Sequence, residues 1–224
     1  TTSPTHKSRP VISPSNSVVF SAFDTIPSLA ARGSFRPVGR AEAHTHSVRD
    51  PLAPRSAVDQ DGKDWAEELA RDDKRFAIPF EALNGPYRGL ATPYTLELAF
   101  DPERVHSASK LRLFLNGWFY WTDASVNMAV ARHPDFEFIP ALLAVPDGNG
   151  GWMECGTIGF PAGKLKTMAV DVGELLNRDD PRIRLFSTLR LYWDSIRLAT
   201  DADDAPRVTP SLEPLSAKQT RLPR

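Results

Sequence analysis

Apolar and polar residues alternate with a period of two over much of this chain, and that pattern limits what it can fold into. Tyr94, Leu96, Leu98 and Phe100 alternate with Thr95, Glu97 and Ala99. Leu111, Leu113 and Leu115 alternate with Arg112, Phe114 and Asn116. The same holds for Met168, Val170 and Val172, for Ile183 and Leu185, and for Leu189, Leu191 and Trp193. Successive side chains of a strand point to opposite faces, so each run predicts a strand with one buried and one wet face. After Asp194 the phase shifts to Ile196 and Leu198, which predicts a bulge or bend. Strands of this kind suit two stacked antiparallel layers. The expected fold is therefore all-β: an antiparallel β-sandwich, jelly-roll-like, over residues 74–199.

Proline content points the same way. Twenty prolines stand against thirteen glycines. Proline removes a backbone donor and fixes φ, which argues against a helical bundle and for strands, turns and extended segments. Prolines 4, 10, 14, 27, 37, 51 and 54 mark residues 1–54 as an extended Pro/Ser-rich N-terminal arm. Residues 55–73 read as a lead-in, with a turn at Asp59-Gln60-Asp61-Gly62 and a helical turn from Trp65 to Leu69. Arg75 to Phe80 reads as a first short strand. Residues 200–224 form a polar C-terminal tail.

Two local signals are sharper. Asp147-Gly148-Asn149-Gly150, between Leu142–Val145 and Gly151–Cys155, predicts a hairpin, because Gly and Asn accept the positive φ of a tight turn. Residues 122–132 fit either period. Val126, Ala129, Val130 and His133 share a helix face, and Val126, Met128 and Val130 share a strand face. The reading favours a short helix capped by Thr122 or Asp123.

Charge and motifs restrict function. The net charge is −1, which gives no electrostatic ground for binding nucleic acid. Residues 1–55 hold seven Lys/Arg against three Asp/Glu, so the arm suits an acidic partner or a peripheral contact with an anionic membrane. The single cysteine, Cys155, forms no intrachain bridge and reads as packing. His44 and His46 would share one side of a strand, but nothing nearby completes a metal set. Gly159-Phe160-Pro161-Ala162-Gly163-Lys164 falls short of a phosphate loop in its spacing and lacks the Ser/Thr after the lysine, so it reads as a connecting loop. Asp123, Asp135, Glu137, Asp147 and Glu154 offer no marked catalytic pair, and Ser125 and Ser195 have no activating context. The expectation is no enzyme, no cofactor and no metal.

Recognition features remain. Trp118-Phe119-Tyr120-Trp121 puts four aromatics in a row, two per face on a strand. One pair would enter the core, and the other could dock a partner, stack on a sugar or lie under a neighbouring loop. In the arm, Val18-Val19-Phe20-Ser21-Ala22-Phe23 is an apolar patch long enough for one short strand or a docking anchor. The candidate partner-binding residues are Val18, Val19, Phe20, Phe23, Phe35, Trp118 and Tyr120.

Three segments in order carry a resemblance. They are Leu115 to Asn127 (reading Leu-Asn-Gly-Trp-Phe-Tyr-Trp-Thr-Asp-Ala-Ser-Val-Asn), Gly159 to Thr167, and Thr188-Leu189-Arg190-Leu191-Tyr192-Trp193-Asp194. With Ser56 to Asp64 and Tyr87 to Ala91, they resemble the C-terminal all-β region of bacterial FG-GAP/TPR-repeat (ASPIC/UnbV, CRTAC-like) exported proteins. The resemblance covers residues 50–215, without the propeller and helical repeats. It implies export and a scaffolding role, and carries no catalytic residue. The expected function is a non-catalytic structural or interaction subunit of a larger periplasmic, membrane-associated bacterial complex. Its partners would be protein subunits, docked through the arms and the sandwich face, with an electron-transfer or light-harvesting assembly as one such host. The alternative is a carbohydrate-binding module with glycan stacked on exposed aromatics.

Overall fold

The computed structural model describes residues 17–25, 43–106, 108, 110–133 and 136–201. In chain order these form β1 Ser17–Thr25, β2 Ala43–Leu52, β3 Ser56–Asp59, α1 Ala66–Leu69, a 3-10 turn Gly85–Tyr87, β4 Leu90–Ala99, α2 Pro102–His106, β5 Leu111–Phe119, α3 Ala124–Arg132, β6 Ala141–Pro146, β7 Trp152–Gly159, β8 Lys166–Asp171, β9 Arg182–Leu189 and β10 Leu191–Asp201.

The all-β jelly-roll sandwich is corrected by this arrangement. The fold is mixed α and β, with three α-helices among the described residues. One sheet has the order β3-β4-β9-β6-β7 and is antiparallel throughout. The other runs β1-β2-β10-β5-β8 and closes on itself, because β1 also pairs with β8. That closing pair is parallel, which an antiparallel sandwich does not contain. The alternation predicts strands correctly. It does not report the ring, since β1 and β2 come from the proline-rich segment assigned to the arm.

The main core lies between the two sheets. Leu111, Leu113, Leu115, Met168, Val170, Ile196 and Leu198 meet Leu96, Leu98, Ile183, Leu185, Leu143 and Ile158 there, all nearly inaccessible. A second, smaller cluster joins Val48, Phe114, Ala169 and Ala199. These four come from β2, β5, β8 and β10, and on the last three they alternate with main-core positions. At these positions β5, β8 and β10 therefore bury both faces, with Phe114 meeting Val48, Ala169 and Ala199 inside the ring.

Local chemistry sets the connections. The hairpin forms as expected: Asp147 Oδ1 accepts from the N–H groups of Asn149 and Gly151, both at 2.8 Å. Residues 124–132 are helical. Asp123 caps α3 by accepting from Val126 N–H at 3.0 Å, and buried Val126 and Val130 lie one turn apart. Residues 75–80 make no full strand, because Pro79 lacks the donor a ladder needs. Single bridges instead tie Ala77 to Trp193 and Ala82 to Ala91, so the segment straps the end of β10 to β4. The chain passes from β9 in one sheet to β10 in the other through Arg190 alone.

Gly117 permits the tightest contact in this frame. A Cβ there would lie 2.5 Å from the Tyr192 carbonyl oxygen and 2.7 Å from the Trp193 ring. Neither is free to move, since Trp193 is buried and the carbonyl is backbone. Gly117→Ala is expected to cost roughly 3 kcal/mol. Gly148→Ala, at φ +79 with open space around it, should cost only about 1 kcal/mol. Urea midpoints of the two variants measure the difference.

Candidate functional site

The three segments that carry the family resemblance meet at one end of the closed sheet. Trp118 on β5 pairs with Tyr192 on β10, and Gly117 pairs with Lys166 at the start of β8. Arg190 holds the corner beside them. Its N–H donates to Gly89 O at 3.1 Å, and its carbonyl accepts from Tyr120 N–H at 3.0 Å. Its guanidinium donates to Leu90 O at 2.9 Å and to Leu83 O, and lies 5.6 Å from the Tyr120 ring centre.

An aromatic base grows from this corner. Trp118 and Tyr192 stack at 4.4 Å with 10° between planes. Phe76, from the strap, meets both rings edge-on at 6.4 Å. Phe80 meets Tyr192 edge-on at 5.2 Å and Tyr94 at 5.6 Å. Tyr94 is buried and donates to Leu189 O at 2.9 Å; burial pushes its phenol far above the usual range. Phe119 turns the other way, into the core, against Phe160.

Of the two aromatics proposed for a partner, Trp118 and Tyr120 are both half-buried in this base. The exposed ring is Trp121, at 60%. The backbone around it is tightly held. Gly89, at φ +94, sits so close that a Cβ there would lie 3.0 Å from Trp121 O and 3.1 Å from Tyr120 O. Arg88 lies 5.9 Å from the Trp121 ring centre and 3.6 Å from Asp123 Oδ2. Met128 on α3 is also 53% exposed. No sequence signal marks Trp121: β5 ends at Phe119, and past that point the period-two rule no longer assigns faces.

A polar cluster adjoins the base. Asp72 accepts from Ser195 Oγ and, at 2.9 Å, from Asn116 Nδ2, and its other oxygen pairs with Arg197 at 3.1 Å. Asp194, in the β10 bulge, is 1% exposed and accepts from Lys74 N–H at 2.6 Å. Lys74 sits at φ +67, the one non-glycine residue there among those described. The buried carboxylate thus holds a strained strap residue in place. Asp72 thus gathers Ser195, Asn116 and Arg197 on its two oxygens, and Asp194 holds Lys74 separately.

Other candidates are dispersed. Val18, Val19, Phe20 and Phe23 lie on β1, and His44 and His46 on β2, paired with Ala22 and Phe20. Phe35 and Asp135 lie outside the described residues. Asp123 caps a helix and Asp147 closes a hairpin. Glu154 is exposed on β7. Cys155 is half-buried on the same strand, and burial raises its thiol. Residues 159–164 lead into β8 rather than a helix, so no helix end faces that loop. Among the described residues, no three His, Cys, Asp or Glu side chains gather to hold a metal.

Asp194 yields a pH prediction. Burial is the largest influence raising its carboxyl, with Asp72 and Asp73 adding to it, against the N–H bonds of Lys74 and Asp73. The folded state then keeps the proton to higher pH than the unfolded chain. Its stabilising share is full below about pH 4 and declines as pH rises through the raised folded value. Asp194→Asn keeps an acceptor for Lys74 and removes the charge. The variant should match or exceed the parent in stability at pH 7, and lose that advantage below about pH 4. Denaturant melts at the two pH values test this; a variant much weaker at pH 7 would refute it.

No family model matches the chain, and no curated protein and no solved structure matches it. The likeness to the FG-GAP/TPR-repeat proteins therefore stays a resemblance between motifs, and nothing identifies the chain as a member of that family.

Proposed function

We propose that this chain is a non-catalytic interaction module, a subunit held in a larger assembly through the aromatic end of its closed sheet. The observation that carries the reading is Trp121: an exposed indole on backbone packed closely against Gly89, beside a base of stacked rings. Rigid aromatic side chains that need no ordering on contact are the residues that dominate interfaces. The neighbouring polar cluster is consumed internally, which favours docking over chemistry at this end. An extracytoplasmic, membrane-associated host is part of the proposal and draws on the motif resemblance. Among the described residues no helix is long and apolar enough to cross a membrane.

One observation favours a glycan as second reading. The Trp121 indole is open to solvent and is flanked by the charged pair Arg88 and Asp123. An open ring beside polar groups suits a sugar. The Trp118 ring suits it less, since one face already lies on Tyr192.

The test is the size of the particle that carries the chain after mild extraction from its native source. The parent is expected to migrate in a much larger assembly. Trp121→Ala is expected to bind that assembly roughly 30-fold more weakly and migrate near its own 24.8 kDa. Migration of the parent itself near 24.8 kDa would overturn the subunit reading. Quenching of the Trp121 signal across a glycan panel would then decide the second.

A further inference from the structure

Closure of the ring depends on one strand. β1 pairs antiparallel with β2 from Ser17↔Arg49 to Phe23↔Ala43, and parallel with β8 only from Ala22↔Thr167 to Thr25↔Val170. Its substantial contacts are with these two strands alone. The β1–β8 seam is thus short and of the parallel kind, which is the weaker per residue. The other strands of the ring are anchored elsewhere. β5, β8 and β10 face the main core, and β2 pairs with β10 at Leu52, Arg49 and Val48.

Opening the seam would expose two strand edges, β2 and β8, each a template for another strand. The strand that fits both is β1, from this copy or from another. β1 is joined to β2 by residues 26–42, too long for a tight hairpin, and a stretch of that length can span at most about 55 Å. That reach covers a neighbouring molecule. A strand supplied by a second copy would remake the same pairs in the same register, so exchange changes no pairing within the ring and is driven by concentration.

We infer that β1 is an exchangeable strand and that two copies of this chain form a dimer in which the β1 of each closes the ring of the other. The inference is independent of the Trp121 end. Register supplies the test, because Phe23 lies opposite Met168, a placement within disulfide reach for adjacent strands. All variants carry Cys155→Ser. The double variant Phe23→Cys/Met168→Cys should close an intrachain disulfide when dilute. The single variants Phe23→Cys and Met168→Cys, the second carrying a mass tag, should give a covalent pair of one each when refolded together at high concentration. The unaltered protein should show a dimer fraction that rises with refolding concentration and persists on dilution, read by sizing with light scattering. Intrachain closure without any mixed pair, and a monomer over roughly a hundredfold range of concentration, would overturn the inference. Failure of the double variant to close, with folded-state circular dichroism intact, would overturn it as well.

Discussion

The pairing of β5 with β10 is the contact on which the rest of this structure depends. It runs from Leu111↔Thr200 to Phe119↔Leu191, broken once where Asp194 bulges out. Both strands face the main core along their length, and Phe114 and Ala199 are buried on the opposite side as well. Only glycine at position 117 lets the two backbones come this close. The bulge does a second job. It turns Asp194 inward, where its carboxylate fixes Lys74 and hence the strap that crosses from β10 to β4. A register slip of one residue would turn Trp193 away from the core and leave Asp194 without its partner. Burial and one carboxylate bond together select the observed pairing.

Period two exposed most of this frame in the sequence and hid part of it for definite reasons. Leu111, Leu113 and Leu115 were legible as a core face, and the phase change after Asp194 was legible as a bulge. The sheet change at Arg190 was not. Leu185, Leu189, Leu191 and Trp193 keep one phase straight through it, because the corner is a single residue that leaves the inward side inward. Phe114 reads as a position on a wet face, yet it is 2% exposed, since β2 covers the side opposite the main core. β2 was illegible because its register with β10 is set by long-range pairing, while its own sequence carries Pro51 and two histidines. The cap at Asp123 and the hairpin at Asp147 were legible because both rest on bonds made within a few residues.

The functional end shows the same division between local and distant causes. The run of four aromatics was visible, and so was the chance that some face outward. Which one does so depends on where the strand stops. β5 ends at Phe119, and the chain then bends under Gly89, whose position is fixed by Arg190 from the far end of the sequence. Tyr120 is drawn toward Arg190, and Trp121 is left in solvent. No spacing rule within residues 118–121 contains that information.

The difference between Trp118 and Trp121 also bears on what this end does. Trp118 is locked by a ring on its face and a ring at its edge, so its energy is spent within the fold. Trp121 has an open ring on backbone packed against Gly89. Losing that ring removes little from the core, whereas covering it takes a large apolar surface out of water at small cost in order. The polar groups nearby follow the same logic. Asp72, Asn116, Ser195 and Arg197 bind each other, and Asp123 is held by its helix and by Arg88. In the proposed reading, this end acts as an anchor because a base of stacked rings carries one exposed indole.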